Sequence, residues 1–190
     1  MAFVVLLLVS AGMATVPGGD DPVAFVRRFY EAHRAVVVTA QVVGLAAAVT
    51  FIPFADGLQR QDWVGRTPLV RRCGLAVAAA GVLAGVPPLV LCAVAGSAGS
   101  DVVSTLATAS DLVDVVLVTA IAAFAAAVAA SVERTWLRVL AVAVALTCAV
   151  RAVLVLVGGE ALALAEPLAF LVLVLALAVE CWRRATPRGT

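Results

Sequence analysis

The chain has 190 residues, of which 64% are hydrophobic and 13% are charged, and its mean hydropathy is +1.14. A soluble globular domain is roughly 45–50% apolar, so this composition argues against an ordinary soluble fold. The formal net charge of +1 argues against a strongly basic binding surface. We therefore expect no nucleic acid among the partners.

The cysteines predict neither a disulfide framework nor a metal site. Cys73 and Cys181 lie at the ends of apolar stretches, Cys92 and Cys148 lie inside them, and the sequence contains one histidine. A structural zinc site needs four closely spaced Cys or His ligands. The chain also has no GxSxG elbow, HExxH pair, P-loop or dinucleotide-binding glycine pattern. We therefore expect no metal and no cofactor, and these motifs do not indicate an enzyme.

Six apolar stretches are long enough, or nearly so, to cross about 30 Å of hydrocarbon, which takes about 20 helical residues. They run approximately over residues 2–16, 35–55, 74–96, 112–130, 139–157 and 161–182. The sequence therefore predicts an all-α integral membrane bundle of six transmembrane helices, forming a single domain over residues 1–190. We expect the short first stretch to be a retained span. A signal peptide ending near Ala-Gly-Met-Ala and a start codon placed too far downstream are the alternatives.

The distribution of arginines predicts the orientation of these spans. Arg60, Arg66, Arg71 and Arg72 flank the second connection, Arg134 and Arg138 flank the fourth, and Arg183, Arg184 and Arg188 form the tail. The arginines on the opposite side are offset by neighbouring carboxylates, and its later loops contain Asp101 and Glu160 without arginine. Because cytoplasmic loops are enriched in basic residues, we expect both ends of the chain to be cytoplasmic.

Two segments on the predicted outer side have helical spacing. Residues 21–33 place Val26, Phe29 and Tyr30 on one face, which predicts a short interfacial helix lying on the outer surface before the second span. The segment from Ser100 to Asp111 also has helical spacing and is expected to continue directly into the fourth span.

Small and aromatic residues give further expectations. The pattern Gly81-Val-Leu-Ala-Gly85 lets helices approach closely and gives weak support for a homo-oligomer. The glycines at 18 and 19 are expected to be ordinary loop residues. Trp63, Trp136 and Trp182 all fall at the predicted cytoplasmic ends of spans, where indole rings anchor at the headgroup level.

Three ionisable residues lie inside predicted spans, where each costs at least ~2.5–3.5 kcal/mol on insertion scales. Arg151 and Glu166 are nearly equidistant from the turn around Gly158-Gly159, so they should lie at the same depth in an antiparallel hairpin. Asp114 lies one turn inside the outer end of the fourth span, with Asp111 one turn above it. These residues predict one polar cluster in the outer half of the bundle.

The polar cluster has two interpretations, which the sequence leaves open. It forms a site for a small ligand or ion at the bottom of an outward-facing cavity, or it only fixes the packing of the last three spans. The surplus of carboxylate favours a cationic ligand or a proton. Gln41 is a further candidate at the same level, although one interhelical hydrogen bond is its more ordinary role. His33, beside Arg34, is expected to be a residue of the membrane interface.

The sequence also resembles a known group of proteins. The stretch Val-Ala-Phe-Val-Arg-Arg-Phe-Tyr-Glu-Ala-His-Arg at 23–34 enters an apolar span that ends Phe-Ile-Pro-Phe-Ala-Asp-Gly-Leu at 51–58. It resembles uncharacterised multi-pass membrane proteins of high-GC Gram-positive bacteria, a family of unknown function. The resemblance implies a multi-pass protein of the bacterial cell membrane. It leaves open a ligand-binding, sensing or transport-related role and a role as a structural subunit that binds a membrane partner protein.

Overall fold

The computed structural model describes residues 17–65, 68–156 and 165–185. Five helices occupy most of these residues, and they are α1 (Val23–Gln59), α2 (Leu69–Val94), α3 (Ser100–Ser131), α4 (Thr135–Leu156) and α5 (Ala165–Ala185). Within the described ranges there is no strand, and an isolated antiparallel bridge joins Val64 to Val132. The predicted all-α class is therefore confirmed.

All five helices are long and apolar enough to cross a membrane, which is consistent with a multi-pass membrane protein. The predicted first span, residues 2–16, lies outside the described residues. The six-span count and the orientation of the bundle therefore stay predictions. Successive helices pack antiparallel against one another, so α1, α3 and α5 point one way and α2 and α4 the other.

The helix α1 is longer than a membrane span. Its 37 residues extend over about 55 Å at the usual rise of 1.5 Å per residue. The backbone leaves the helical conformation at His33, where φ is −114° and ψ is 18°. This break separates a leading segment, residues 23–32, from the rest of α1. The leading segment corresponds to the predicted interfacial helix, and its position relative to a membrane surface stays a prediction.

The apolar face of the leading segment packs against protein. Val26 and Tyr30 are buried together with residues from the end of α2 and the start of α3, namely Leu91, Cys92, Ala95, Val103 and Ala107. Arg27 also links the leading segment to the α2–α3 connection, because its guanidinium donates a hydrogen bond of 2.8 Å to the carbonyl oxygen of Ala98. The helix α3 is continuous from Ser100 to Ser131, as its spacing predicts. The three elements together form a small second core at this end of the bundle.

A larger core holds all five helices together. At its centre the rings of Phe51, Phe124 and Phe170, from α1, α3 and α5, contact one another with centroid distances of 5.2–6.3 Å. Edge-to-face contacts of this kind add to the stabilisation from apolar packing. Because no hydrophobic effect drives helices together in lipid, such van der Waals packing and close approaches hold the bundle together.

The small residues of α2 face α1 within the chain. A methyl group placed on Gly81 would lie 3.2 Å from Cβ of Ala48, and one placed on Gly85 would lie 3.5 Å from Oε1 of Gln41. Gly81 and Gly85 therefore serve the close packing of α1 against α2. The pattern that raised the expectation of a homo-oligomer is used inside the chain, and oligomerisation stays a prediction.

Candidate ligand-binding site

The structure brings the charged residues of three helices together. Asp114 on α3 interacts electrostatically with Arg151 on α4 and with Asp111 one turn away. Glu166 on α5 interacts with both Asp114 and Arg151. All four side chains are only partly accessible. We call Asp111, Asp114, Arg151 and Glu166 the polar cluster; its role in binding a ligand stays a prediction.

The rotation of α4 about its own axis explains why Arg151 lies near Asp114 and Glu166. Cys148 is fully buried in the main core, and the charge of Glu166 acts on its thiol. Arg151 lies three residues later on α4, so it falls on nearly the same face of the helix. Glu166 and Asp101 lie in the first turns of α5 and α3, respectively, where a negative charge is favoured by the helix dipole. The sequence predicts similar depths for Arg151 and Glu166, whereas the apolar packing of α4 determines the direction in which Arg151 points.

Asp111 connects the polar cluster to the segment before α1. The backbone N–H of Gly19 donates a hydrogen bond of 2.6 Å to Oδ2 of Asp111. The segment is closed as a turn, because the N–H of Gly18 donates to Oδ2 of Asp21 at 3.0 Å and the N–H of Asp21 donates to the carbonyl oxygen of Gly18 at 3.2 Å. We call residues 17–21 the cap segment, since it lies against α3 at the level of Asp111.

The expectation that Gly19 is an ordinary loop glycine is wrong. A methyl group on Gly19 would lie 2.8 Å from Oγ1 of Thr108 and 3.0 Å from both the backbone of Thr108 and Oδ2 of Asp111. Real side chains do not approach this closely, so only glycine allows the backbone to reach Asp111 here. The signal in the sequence was the Gly-Gly pair, but its partner is 92 residues away.

Tyr30 is a polar residue of this region that sequence reasoning placed only on an apolar face. Its side chain is 1% exposed, and its hydroxyl has no hydrogen-bond partner among the residues that the structure describes. The charge of Asp111 acts on Tyr30, as does Cys92. Buried polar groups without partners are rare and need an explanation, of which an unseen water or ligand is one. The hydroxyl of Ser110, next to Asp111 in the chain, is also buried without a described partner.

Among the described residues, no interaction joins Gln41 or His33 to the polar cluster. Gln41 is partly buried and faces Gly85 of α2, and its membership of the site stays a prediction. His33 is exposed, stacks on the ring of Phe29 at 4.8 Å, and places Nδ1 at 3.1 Å from the carbonyl oxygen of Phe29. These local contacts account for its orientation at the break in α1.

The carboxylates of the polar cluster do not converge on one point. Across the described ranges, no group of three or more His, Cys, Asp and Glu side chains is arranged to hold a metal ion. Direct coordination of a metal needs several ligands at about 2.0–2.6 Å from one centre.

A second polar group at the opposite end of the bundle was not identified from the sequence. Glu180 on α5 is 2% exposed. Its Oε1 accepts a hydrogen bond of 2.8 Å from Nε of Arg184 and forms a salt bridge with Nε of Arg134, also at 2.8 Å. The guanidinium of Arg184 lies over the ring of Trp63, 5.1 Å from its centroid. We call these four residues the Glu180 cluster. The spacing of Glu180 and Arg184 was visible in the sequence as an i,i+4 pair, whereas the contact with Arg134 required the fold.

The prediction that all three tryptophans anchor at the headgroup level is wrong for Trp63. Its side chain is 3% exposed, whereas Trp136 is 48% and Trp182 is 70% exposed. The bridge between Val64 and Val132 pulls the α1–α2 connection against the end of α3. Next to this bridge, the N–H of Gly65 donates a hydrogen bond of 2.9 Å to the carbonyl oxygen of Ser131. Because the connection is held against α3 in this way, the indole of Trp63 is buried in the core.

No protein-family model matches the chain, and neither does any curated protein or solved structure. The resemblance to uncharacterised multi-pass membrane proteins of high-GC Gram-positive bacteria therefore stays a prediction, and function has to be inferred from the geometry.

Proposed function

We propose that this multi-pass membrane protein binds a small cationic ligand, or takes up a proton, at the polar cluster. The observation that carries the proposal is the surplus of carboxylate. Asp114 and Glu166 each interact with Arg151 and with each other, and Asp111 interacts with Asp114. The group therefore contains three carboxylates and one guanidinium. When all are ionised the group has a net charge of −2.

An uncompensated charge is costly in the interior of a membrane protein. Arg151 offsets one carboxylate, and the N–H of Gly19 stabilises Asp111 through a charge-assisted hydrogen bond. Neither interaction removes the net negative charge. A bound cation or a proton lowers this charge, and its binding is therefore favoured by the same electrostatics that make the empty cluster costly.

The unpartnered hydroxyl of Tyr30 supports a ligand site more than a purely structural cluster. A structural ion-pair network is expected to satisfy all of its buried polar atoms, because each one left unsatisfied costs roughly 1–3 kcal/mol. Tyr30 interacts with the charge of Asp111 and is buried. Its hydroxyl is thus a candidate hydrogen-bond partner for a group bound beside Asp111.

The second candidate function is a structural or partner-binding membrane subunit. It is favoured by the position of Arg151 between carboxylates of two other helices, since such an arrangement ties α3, α4 and α5 together. On this hypothesis the cluster stabilises the bundle and binds nothing. Sensing and transport are extensions of the first candidate, in which the bound cation or proton alters the bundle or passes through it.

A thermal-shift experiment on the full chain in detergent distinguishes the two candidates. The probe is tetramethylammonium chloride, titrated at constant ionic strength against sodium chloride, with unfolding followed by intrinsic tryptophan fluorescence. Binding to the folded state alone at a hundredfold excess over Kd stabilises by about 2.7 kcal/mol, which for a chain of this size raises Tm by about 5–11 °C. We expect this rise in the wild type and its loss in Glu166→Gln.

The matched control for this experiment is Asp101→Asn. Asp101 is an exposed carboxylate in the first turn of α3, and it lies outside the polar cluster. We expect this variant to keep the full shift. A second series at constant salt replaces the cation by protons, comparing wild type and Glu166→Gln as pH is lowered. Absence of any difference between the two proteins in both series would contradict the proposal and favour the structural candidate.

A further inference from the structure

The arginine-rich end of the bundle carries an excess of positive charge beside Glu180. The charges of Arg134, Arg183 and Arg184 all act on this one carboxylate. Both salt bridges use the same oxygen, Oε1, which lies 2.8 Å from each Nε. One carboxylate cannot neutralise three guanidinium groups, so Glu180 and these three arginines together retain a net positive charge.

The neighbouring charged residues do not remove this excess. Arg138 and Glu133 flank the same α3–α4 connection, and both are exposed. Arg138 is held in place, because its guanidinium donates a hydrogen bond of 3.0 Å to the carbonyl oxygen of Val132. With Arg138 and Glu133 included, four arginines and two glutamates leave a local charge of +2.

The arginines are oriented so that they remain accessible. The side chain of Glu180 is 3% exposed, whereas those of Arg134 and Arg184 are 46% and 36% exposed. The buried carboxylate of Glu180 therefore holds Nε of Arg134 and Nε of Arg184, and the other N–H donors of both guanidinium groups remain at the surface. Guanidinium groups that are held in one orientation are suited to bidentate recognition of phosphate.

Two exposed indoles mark the level of this surface relative to the bundle. Trp136 lies in the first turn of α4 and Trp182 in the last turn of α5, and their side chains are 48% and 70% exposed. Indole rings concentrate at the boundary between hydrocarbon and headgroups. The accessible arginines of the Glu180 cluster are in the same two helix ends, and so they are expected at the depth of lipid phosphates.

From these observations we propose that the α4–α5 end binds the headgroup of an anionic glycerophospholipid. Arg134, Arg183 and Arg184 contact its phosphate, and Glu180 positions Arg134 and Arg184 for that contact. A zwitterionic lipid carries the same phosphate, but its ammonium group adds repulsion from the local charge of the cluster. The surface therefore distinguishes phosphatidylglycerol from phosphatidylcholine. This inference is independent of the ligand proposed for the polar cluster.

The experiment measures lipid retained by the full chain. The protein is purified in detergent and titrated with phosphatidylglycerol or phosphatidylcholine, and bound lipid is counted by native mass spectrometry. A basic side chain near an anionic lipid surface contributes an attraction equivalent to about a fivefold change in affinity. We expect phosphatidylglycerol to bind more tightly than phosphatidylcholine, and each of Arg134→Gln and Arg183→Gln to weaken phosphatidylglycerol binding about fivefold.

Arg183→Gln keeps the proposal testable if Arg134→Gln fails to fold, because it leaves both salt bridges of Glu180 in place. The matched control is Arg71→Gln, which removes an exposed arginine at the same end that pairs with Asp56 on α1. We expect the control to bind phosphatidylglycerol like the wild type. Equal loss in the control, equal retention of both lipids by the wild type, or unchanged binding by Arg183→Gln would each overturn the proposal.

Competition with inorganic phosphate is the last part of the experiment, because this ion carries the phosphate oxygens of the headgroup without the acyl chains. We expect an excess of inorganic phosphate to leave phosphatidylglycerol bound, since the acyl chains keep the lipid beside the helices. Complete displacement of the lipid by inorganic phosphate would overturn the assignment to a lipid headgroup and identify a site for free anions.

Discussion

Gly74 lies directly against Ala55, so that α2 and α1 touch there without an intervening side chain. A methyl group added to Gly74 would overlap Cβ of Ala55, while Phe124 of α3 stands 3.6 Å away on another side. Ala55 is fully buried, so an added methyl group would meet packed protein and not solvent. The approach of α1 to α2 is therefore set by this pair.

The first prediction follows from that contact. Gly74→Ala should destabilise the bundle by about 1–3 kcal/mol through overpacking, despite the gain in helix propensity of about 1 kcal/mol. The matched control is Gly57→Ala, at a helical glycine with no neighbouring atom within 4 Å of the added methyl group; it should be neutral or stabilising. Thermal unfolding in detergent measures both variants. A Gly74→Ala protein as stable as Gly57→Ala would show that the two helices separate at little cost.

The second prediction concerns the cap segment. Asp111→Ala removes the acceptor of the hydrogen bond from Gly19, which involves a charged group and is worth about 1.5–3 kcal/mol. If this bond holds residues 17–21 against α3, amide exchange in that segment should accelerate more than tenfold. Hydrogen–deuterium exchange followed by mass spectrometry measures the effect. Asp101→Ala, on the same helix, should leave exchange of the cap segment unchanged, and an equal effect of both variants would contradict the role of Asp111.

The apolar stretches of the sequence predicted the helices well because span length and hydropathy depend only on local composition. Apart from residues 95–96, the described parts of the five later stretches all fall on helices α1 to α5. What composition does not specify is how far a helix continues beyond the hydrocarbon. The segment from Ser100 to Asp111 joins α3 without interruption, and the leading segment of α1 packs on it through Val26 and Tyr30.

The polar cluster was accessible to sequence reasoning in part. The positions of Arg151 and Glu166 relative to Gly158-Gly159 in the sequence predict equal depth for the two residues, but they do not predict the rotation of either helix. That rotation comes from apolar contacts such as that of Cys148, which is fully buried. The contact of Asp111 with Gly19 and the burial of Tyr30 depend on segments far apart in the chain. No local pattern in the sequence encodes them.

The third prediction ranks three substitutions in the Glu180 cluster. Glu180→Gln removes the charge that two arginines share and should destabilise the protein by about 1.5–3 kcal/mol. Arg134→Gln or Arg184→Gln should each cost less, about 0.2–1 kcal/mol, because both arginines are partly solvated and the remaining one keeps its bond to Glu180. The exposed Glu133→Gln serves as the control and should change stability by less than about 0.5 kcal/mol. An arginine substitution that costs more than Glu180→Gln would contradict this order.

The fourth prediction concerns orientation. The excess of arginine at the end formed by the α1–α2 and α3–α4 connections predicts that this end is cytoplasmic. Alkaline phosphatase fused after the last residue in a bacterial host should therefore be inactive. The same enzyme inserted after Ala98, in the α2–α3 connection at the opposite end, should be active. Activity of the C-terminal fusion, with none at Ala98, would reverse the orientation.

The fifth prediction separates the two roles of the polar cluster. Arg151→Met alone leaves the carboxylates of Asp114 and Glu166 without the nearby positive charge that acts on both. Breaking a buried pair in this way typically costs about 3–5 kcal/mol, and the partial exposure of these residues places the expected loss at the lower end of that range. Arg151→Lys is the matched control, because it keeps the charge while changing the geometry, and it should be the more stable of the two.

The double variant Arg151→Met/Glu166→Leu decides between binding and packing. Replacing an ion pair by apolar residues of similar size is often neutral or stabilising, so stability should recover in large part. If the cluster binds a cation or proton, this stable double variant should lack the thermal shift with tetramethylammonium and the pH dependence that the wild type shows. Recovery of stability together with an unchanged response to both probes would remove Arg151 and Glu166 from the site. The charges would then serve only to hold α3, α4 and α5 in register.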